Sequence, residues 1–166
     1  IQMPSRFTLR PTTDYAKSAL FNILQNHFEW EEVTVLDLFA GSGALSYEFL
    51  SRGVRAVVCV DIDKNYIDFI KKSANTFQFK NIQCVLSDVE RFIRSHTGQY
   101  AIVFADPPYK ETEMIKRLPE IILNSSLLEE NGWFILEHGK AVSFKEHEKC
   151  FREECYGHVY FSFFKK

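Results

Sequence analysis

A glycine-rich loop with an acidic residue at its start occupies residues 37–43, with the sequence Asp-Leu-Phe-Ala-Gly-Ser-Gly. It follows an apolar run and precedes a helix-like stretch, which is where a doubly wound sheet binds nucleotide-like ligands. A dinucleotide-binding loop would have glycine in place of Ser46, and Asp37 would repel the diphosphate. The ammonium group of S-adenosylmethionine would instead find a partner near Asp37. The loop therefore favours this methyl donor over NAD.

Two further acidic residues follow the next two apolar runs. Asp61 ends the second run about twenty residues beyond the loop, the offset at which an acidic residue binds ribose hydroxyls. Asp88 follows the third run, where a carboxylate could accept a hydrogen bond from the adenine amine of a cofactor. Asp88 could equally cap the helix expected after it. The two positions are consistent with a nucleoside lying along the end of a sheet.

The sequence Asp106-Pro107-Pro108-Tyr109 ends the fourth apolar run. An aromatic exocyclic amine is a poor nucleophile because its lone pair is delocalised, so its methylation needs acceptors for the amine hydrogens. Asp106 and the carbonyl of Pro107 can supply them. The prolines fix the backbone and remove donors, and Tyr109 offers a flat face for an unstacked base. Methyl transfer to a positioned amine needs no metal. The alternative is that this segment is a simple turn after a buried strand.

Alternating strand-like and helix-like segments would position these residues. The apolar runs are continuous and rich in β-branched or aromatic residues, which is typical of parallel strands covered on both faces. Strands are predicted at 33–39, 56–60, 82–86, 101–105 and 133–136, and helices at 14–28, 43–52, 63–79, 88–96 and 111–130. At the end of the chain, 150–155 and 159–164 predict an antiparallel hairpin. The pattern indicates an α/β fold with a mostly parallel sheet and helices on both faces.

Composition and charge limit the class of protein. The 166 residues are 46% hydrophobic and 25% charged, as in a globular protein of one domain, residues 1–166. No apolar run is long enough to span a membrane and none resembles a signal peptide, so a cytoplasmic location is expected. The four cysteines form no CxxC pair and are expected to be reduced. The net charge of -2 argues against binding free nucleic acid by phosphate neutralisation alone.

Two features near the end of the chain are predicted to have no catalytic role. His138 follows the fifth strand and is expected to be solvated. An aromatic cluster at 160–164 could stack on bases, but alternating burial in a final strand explains it better.

Four segments together resemble the RsmD family of bacterial methyltransferases, which act on guanine N2 in 16S ribosomal RNA. They are RPTTD at 10–14, LDLFAGSGAL at 36–45, LSRG at 50–53 and DPPY at 106–109. The last three are shared in part with other amino-methylating enzymes. The RPTTD segment before a helix containing Leu20-Phe21-Asn22 is more particular to the RsmD family and carries the substrate assignment. The resemblance covers nearly the whole chain.

The resemblance implies a Rossmann-like class I methyltransferase with a seven-stranded sheet that uses S-adenosylmethionine. It implies 16S ribosomal RNA within a partly assembled small ribosomal subunit as the partner, and a monomeric enzyme is expected. Residues 1–13 are expected to be a truncated N-terminal extension. Contacts with the donor are expected from Asp37, Phe39, Gly41, Gly43, Asp61 and Asp88, catalysis from Asp106, Pro107 and Tyr109, and substrate binding from Arg10, Thr12, Pro108 and Tyr109.

Three other functions fit parts of the same pattern. An adenine-N6 DNA methyltransferase would use the same clamp, but the chain has no evident segment to select a DNA sequence. A protein glutamine methyltransferase would more typically have Asn in place of Asp106. A non-catalytic RNA-binding or assembly module could retain the cofactor fold, although the intact Asp106 and Tyr109 disfavour it.

Overall fold

The computed structural model describes residues 14–166, so Arg10 and Thr12 lie outside the described residues. One seven-stranded sheet, in the order β3-β2-β1-β4-β5-β7-β6, forms its centre. The strands are β1 (Thr34–Leu38), β2 (Ala56–Asp61), β3 (Ile82–Leu86), β4 (Tyr100–Ala105), β5 (Leu128–His138), β6 (Cys150–Tyr156) and β7 (Val159–Phe164). The helices are α1 (Asp14–Leu24), α2 (Ala44–Ser51), α3 (Lys64–Thr76), α4 (Val89–Ser95) and α5 (Thr112–Leu123).

The sheet confirms the predicted fold. Strands β1 to β5 are parallel to one another, and β7 is inserted antiparallel between β5 and β6. Helices α1, α2 and α3 pack on one face, and α4 and α5 pack on the other. In β1, Val35 faces the core formed with α1, α2 and α3, and Leu36 faces the core formed with α4 and α5. Both faces are therefore apolar, which explains why the strands appear in the sequence as continuous apolar runs.

The predicted helix over 111–130 is shorter in the structure. Helix α5 ends at Leu123, and β5 begins at Leu128. Ser125 explains the difference, because its hydroxyl donates to the Ile122 carbonyl at 2.7 Å and accepts from the Leu127 amide at 3.2 Å. These bonds offer the backbone an alternative to the helix and end it. Leu128 then pairs with Tyr100, ahead of an irregularity in the β4–β5 ladder.

His138 is buried, contrary to the expectation that it is solvated. Its side chain has no exposed surface, and its Nε2 lies 2.8 Å from the Ser162 hydroxyl on β7. Nδ1 lies 3.0 Å from the Gly139 carbonyl oxygen. Burial lowers the pKa of His138 below its ordinary value. The register of β5 with β7 places the ring in the core, and the sequence near His138 does not reveal that register.

The aromatic residues of β7 are also in the core. Phe161, Phe163 and Phe164 are each fully buried, so they are not available as a stacking surface. The burial does not alternate as predicted, because Ser162 between them is buried as well. Both faces of β7 are therefore covered.

None of the helices in residues 14–166 has the length and apolar composition of a membrane-spanning segment. In the same part of the chain, the His, Cys, Asp and Glu side chains form no group of three that could bind a metal ion. The four cysteines are free thiols.

Candidate active site

The loops that follow four parallel strands meet at one edge of the sheet. The Ala40 amide donates to the Val60 carbonyl at 3.0 Å, which joins the glycine-rich loop to the end of β2. The Ser87 amide donates to the carbonyl of Asp61 at 3.0 Å, which joins the ends of β3 and β2. The Asp106 amide lies 3.4 Å from the Leu38 carbonyl at the end of β1. The segment 106–109 therefore begins directly beside the glycine-rich loop.

The glycine-rich loop has an unusual backbone. Phe39, Gly41 and Gly43 all have positive φ angles of 62°, 52° and 77°. Such a conformation costs a residue like Phe39 roughly 1–3 kcal/mol, and it tends to be found at functional sites. Gly43 has a second reason to be glycine, because a Cβ there would lie 2.9 Å from Cγ1 of Ile70 on α3. The small size of Gly43 thus serves the packing of α2 against α3.

Asp37 lies below the loop and is only 2% exposed. Ser46 on α2 donates a hydrogen bond to its Oδ2 at 2.6 Å. Burial raises the pKa of Asp37 to about 7, the Ser46 hydrogen bond opposes this rise, and the charge of Asp61 adds to it. The residue that departs from the dinucleotide-binding pattern, Ser46, is therefore the partner of Asp37. A nearby cation would favour the ionised form of this carboxyl group.

Asp61 is held by two backbone amides. The Gly41 amide donates to Oδ2 and the Asp63 amide to Oδ1, each at 2.8 Å. Burial raises the pKa of Asp61, and these two hydrogen bonds oppose the rise. Each oxygen retains a lone pair, so the carboxylate can still accept hydrogen bonds from two vicinal hydroxyls.

Asp88 caps the helix after β3. Its Oδ1 accepts a hydrogen bond from the Arg91 amide at 2.9 Å, at the N-terminus of α4. The capping alternative is thus present in the structure. The side chain is exposed at the same edge as Asp61, so capping leaves the second oxygen available for a ligand.

Asp106 lies close to Glu137 and Asp37, two other acidic residues of this edge. Burial raises its pKa well above the ordinary value, and the charges of Glu137 and Asp37 raise it further. Within residues 14–166, no hydrogen bond to its carboxyl group offsets this effect. Pro107 is buried beside it, and Pro108 is exposed. The Asp106 carboxyl group therefore remains available as an acceptor for a substrate amine.

Tyr109 is 36% exposed and is held at both ends. Its hydroxyl donates to Oε1 of Glu137 at 2.8 Å. Its ring lies against the backbone of Gly139, where a Cβ would approach the ring Cδ2 to 2.9 Å. Glu137 was not predicted from the sequence, and the signal available was an acidic residue at the end of an otherwise apolar strand.

Two exposed apolar residues at this edge were also missed. Ile62 directly follows Asp61 and is 71% exposed, and Leu86 at the end of β3 is 51% exposed. Leu86 pairs with Asp61 in the β2–β3 ladder, so both exposed side chains lie at the same sheet edge as that carboxylate. The signal in the sequence was an isoleucine between Asp61 and Asp63, outside the apolar run.

Comparisons with known proteins agree with this fold. Residues 1–165 match the family model described as "Conserved hypothetical protein 95". The chain is similar to YlbH of Bacillus subtilis, with 38% identity over 82% of this chain and 75% of that protein. It is 32% identical to ribosomal RNA small subunit methyltransferase D of Buchnera aphidicola, over 81% of this chain and 68% of that protein. The solved structure of Escherichia coli yhhF has a TM-score of 0.81 and 27% identity, covering 95% of this chain and 88% of that one. The chain belongs to the RsmD family of methyltransferases.

Proposed function

We propose that the protein transfers a methyl group from S-adenosylmethionine to the N2 amine of a guanine in 16S ribosomal RNA. The observation that carries the proposal is the meeting of the glycine-rich loop and the Asp106–Tyr109 segment at one sheet edge, with Asp106 N near the Leu38 carbonyl. The proposed donor site and the proposed acceptor for the amine would thereby be adjacent. The names of relatives in Buchnera and Escherichia coli, ribosomal RNA small subunit methyltransferase D, support RNA as the substrate.

The acidic residues at this edge fit a positively charged cofactor. Asp37, Asp61 and Asp106 all have raised pKa values, with burial as the first cause. A cation would favour their ionised forms, whereas a diphosphate would be repelled. S-adenosylmethionine carries a sulfonium and an ammonium group, and when bound it supplies an electrophilic methyl group.

Each donor-binding residue has a proposed partner on the cofactor. Asp37 and the loop residues Phe39, Gly41 and Gly43 would surround the methionine part. Asp61 would bind the ribose hydroxyls, and Asp88 the adenine amine. Ile62 would cover the flat adenine ring with its exposed side chain. All of these residues lie at or just beyond the carboxyl ends of β1, β2 and β3.

On the acceptor side, Asp106 and the Pro107 carbonyl would accept the hydrogens of the guanine amine. These bonds orient the nitrogen lone pair toward the methyl group. The nitrogen must lose a proton as it gains a carbon, and the Asp106 carboxylate can take it. Pro108 and Tyr109 would contact the base, with the Tyr109 ring stacked on its face.

The proposal extends to the partner and to residues outside the described part. Arg10 and Thr12 would contact the RNA near the target. The RNA would be presented within a partly assembled small ribosomal subunit, because folded RNA and neighbouring proteins can add affinity that a chain of net charge -2 does not supply. We further propose that the chain acts as a single-domain monomer in the cytoplasm.

Nucleoside analysis tests the proposal directly. Small subunits lacking methylation are incubated with the protein and isotopically labelled donor, and the digested RNA is analysed by mass spectrometry. Labelled N2-methylguanosine is the expected product, and a D106A variant serves as the control for contaminating activity. N6-methyladenosine as the sole product would refute the base assignment. Donor binding without turnover on any RNA would indicate a non-catalytic module.

A further inference from the structure

Glu137 is a buried acidic side chain beside the Asp106–Tyr109 segment, and it has no role in the reaction described above. It lies near the end of β5 and is 2% exposed. The preceding residues of the strand, 134–136, are apolar and fully buried. Its Oε1 accepts the hydrogen bond from the Tyr109 hydroxyl at 2.8 Å. The partly exposed ring of Tyr109 is therefore tethered to the interior through this carboxylate.

Gly139 supports the same ring from another side. A Cβ at this position would approach Cδ2 of Tyr109 to 2.9 Å, which is closer than nonbonded carbon atoms come. The ring therefore lies directly against the glycine backbone. The tether at the hydroxyl and the contact at Gly139 together restrict the position and the tilt of the ring.

We infer that Glu137 is a positioning residue for methyl transfer, which holds the Tyr109 ring in the orientation that stacks on the target base. The inference rests on the proposed function, because it concerns the acceptor side of that site. Reaction rates are sensitive to such placement, and a displacement of about 1 Å can reduce a rate roughly a hundredfold. Glu137 would act through Tyr109 and would not contact the base itself.

The polar side chain of Glu137 supports a role beyond filling space. A carboxylate at this position repels Asp106, and this repulsion contributes to the raised pKa of Asp106. An apolar residue in β5 would avoid that cost and would suit the neighbouring residues of the strand. The Glu137 carboxyl group accepts the hydrogen bond of the Tyr109 hydroxyl, which an apolar side chain could not do.

Kinetics of variants at positions 109, 137 and 139 test the inference. E137A should reduce kcat about tenfold to a hundredfold with little change in donor Kd. E137Q should remain within about threefold of the unaltered protein, because the amide oxygen accepts the same hydrogen bond. Y109F should resemble E137A, and the E137A/Y109F double variant should be no worse than either single change. G139A should displace the ring and lower kcat, with no additional effect in a Y109A background.

A spectroscopic measurement gives a readout independent of turnover. The seven tyrosines are labelled with carbon-13, and the Tyr109 ring signal is assigned by its loss in Y109F. E137A should shift or broaden this signal, and E137Q should preserve it. An unchanged Tyr109 signal together with an unchanged kcat in E137A would overturn the inference. It would also be overturned if E137A and E137Q lowered the activity and the midpoint of thermal unfolding to the same extent. If the unaltered protein methylates another base, the proposed function is wrong, but the same variants assayed on that product still decide the role of Glu137.

Discussion

At the scale of single residues, the site is defined by carboxyl groups whose surroundings oppose ionisation. Burial is the largest cause of the raised pKa of both Asp37 and Asp106, and the charges of other acidic side chains add to the rise. Raised pKa values of this kind are concentrated at functional sites, because a binding protein must remove such groups from water to place them against a ligand. Both residues were predicted from the sequence as site residues. Their roles can be separated by experiment.

Asp37 should make the stability of the donor-free protein depend on pH. Its pKa rises from 3.8 to about 7 on folding. Between these two pKa values the native state retains a proton that the unfolded chain has released. The protonated Asp37 carboxyl group therefore stabilises the native state at low pH, and this stabilisation is lost as the pH rises to about 7. D37N cannot ionise and can still accept the Ser46 hydrogen bond. Between pH 4 and pH 8 the free energy of unfolding of the unaltered protein, measured with urea, should fall by on the order of 2–4 kcal/mol relative to that of D37N.

The Ser46 hydrogen bond provides a control for this prediction. It lowers the pKa of Asp37, so S46A should move the loss of stability to higher pH. Parallel pH profiles for D37N and the unaltered protein would show that Asp37 does not titrate in this range.

Loss of the Asp106 carboxyl group should reduce turnover and leave donor binding unchanged. D106A should lower the single-turnover rate roughly 10²–10⁴-fold, the usual contribution of a group that takes a proton. Donor binding, measured by calorimetry, should persist because the proposed role of Asp106 is to bind the amine and not the donor. D106N retains one oxygen acceptor but has no carboxylate to take the proton. Its rate should therefore lie between those of D106A and the unaltered protein. Near-normal turnover in D106A would exclude this role.

At the scale of elements, the C-terminal hairpin is fixed by one buried carboxylate on β6. Glu153 accepts hydrogen bonds from the Phe144 amide at 2.8 Å and from the hydroxyls of Ser162 and Ser143 at 2.9 and 3.1 Å. Burial alone would raise its pKa, but these bonds lower it below the ordinary value. The network joins β6 to β7 and to the loop after β5, and thereby supports the end of β5 where Glu137 lies.

Removal of the Glu153 carboxylate should therefore destabilise the whole sheet. E153A leaves several donors without a partner, each costing roughly 1–3 kcal/mol where buried, so a loss of about 2–4 kcal/mol is expected. E154A is the matched control, because Glu154 forms an ion pair with Arg152 at the surface and should contribute less than about 1 kcal/mol. Urea unfolding at pH 7 measures both. Equal effects of the two changes would contradict the role of the network.

Local patterns predicted the elements better than their ends and their polar contacts. The strands around Asp37 and Asp106 are buried on both faces, so continuous apolar runs identify them directly. The end of α5 depends on how one serine side chain, Ser125, bonds to the backbone. The environments of Glu137 and His138 depend on pairing with a strand more than twenty residues later, in the register His138 to Tyr160. Such contacts arise only when the chain is folded.

At the scale of the whole molecule, the net charge bears on the form of the substrate. A chain with 20 basic and 22 acidic residues has no net positive charge to attract RNA phosphates. Affinity for RNA that depends on phosphate contacts falls steeply with salt, with a slope proportional to the number of contacts. This protein should therefore discriminate between free RNA and RNA already shaped by ribosomal proteins.

We expect kcat/KM to be at least about tenfold higher on unmethylated small subunits than on protein-free 16S ribosomal RNA of the same sequence. The physical reason is that the assembled particle presents an ordered target, so less of the binding free energy is spent on ordering the RNA. The measurement is made at 50 and 200 mM salt, and a shallow salt dependence on subunits is expected because few phosphates are neutralised. Equal kcat/KM on both substrates, with a steep dependence on salt for each, would show that phosphate contacts of this chain determine its affinity.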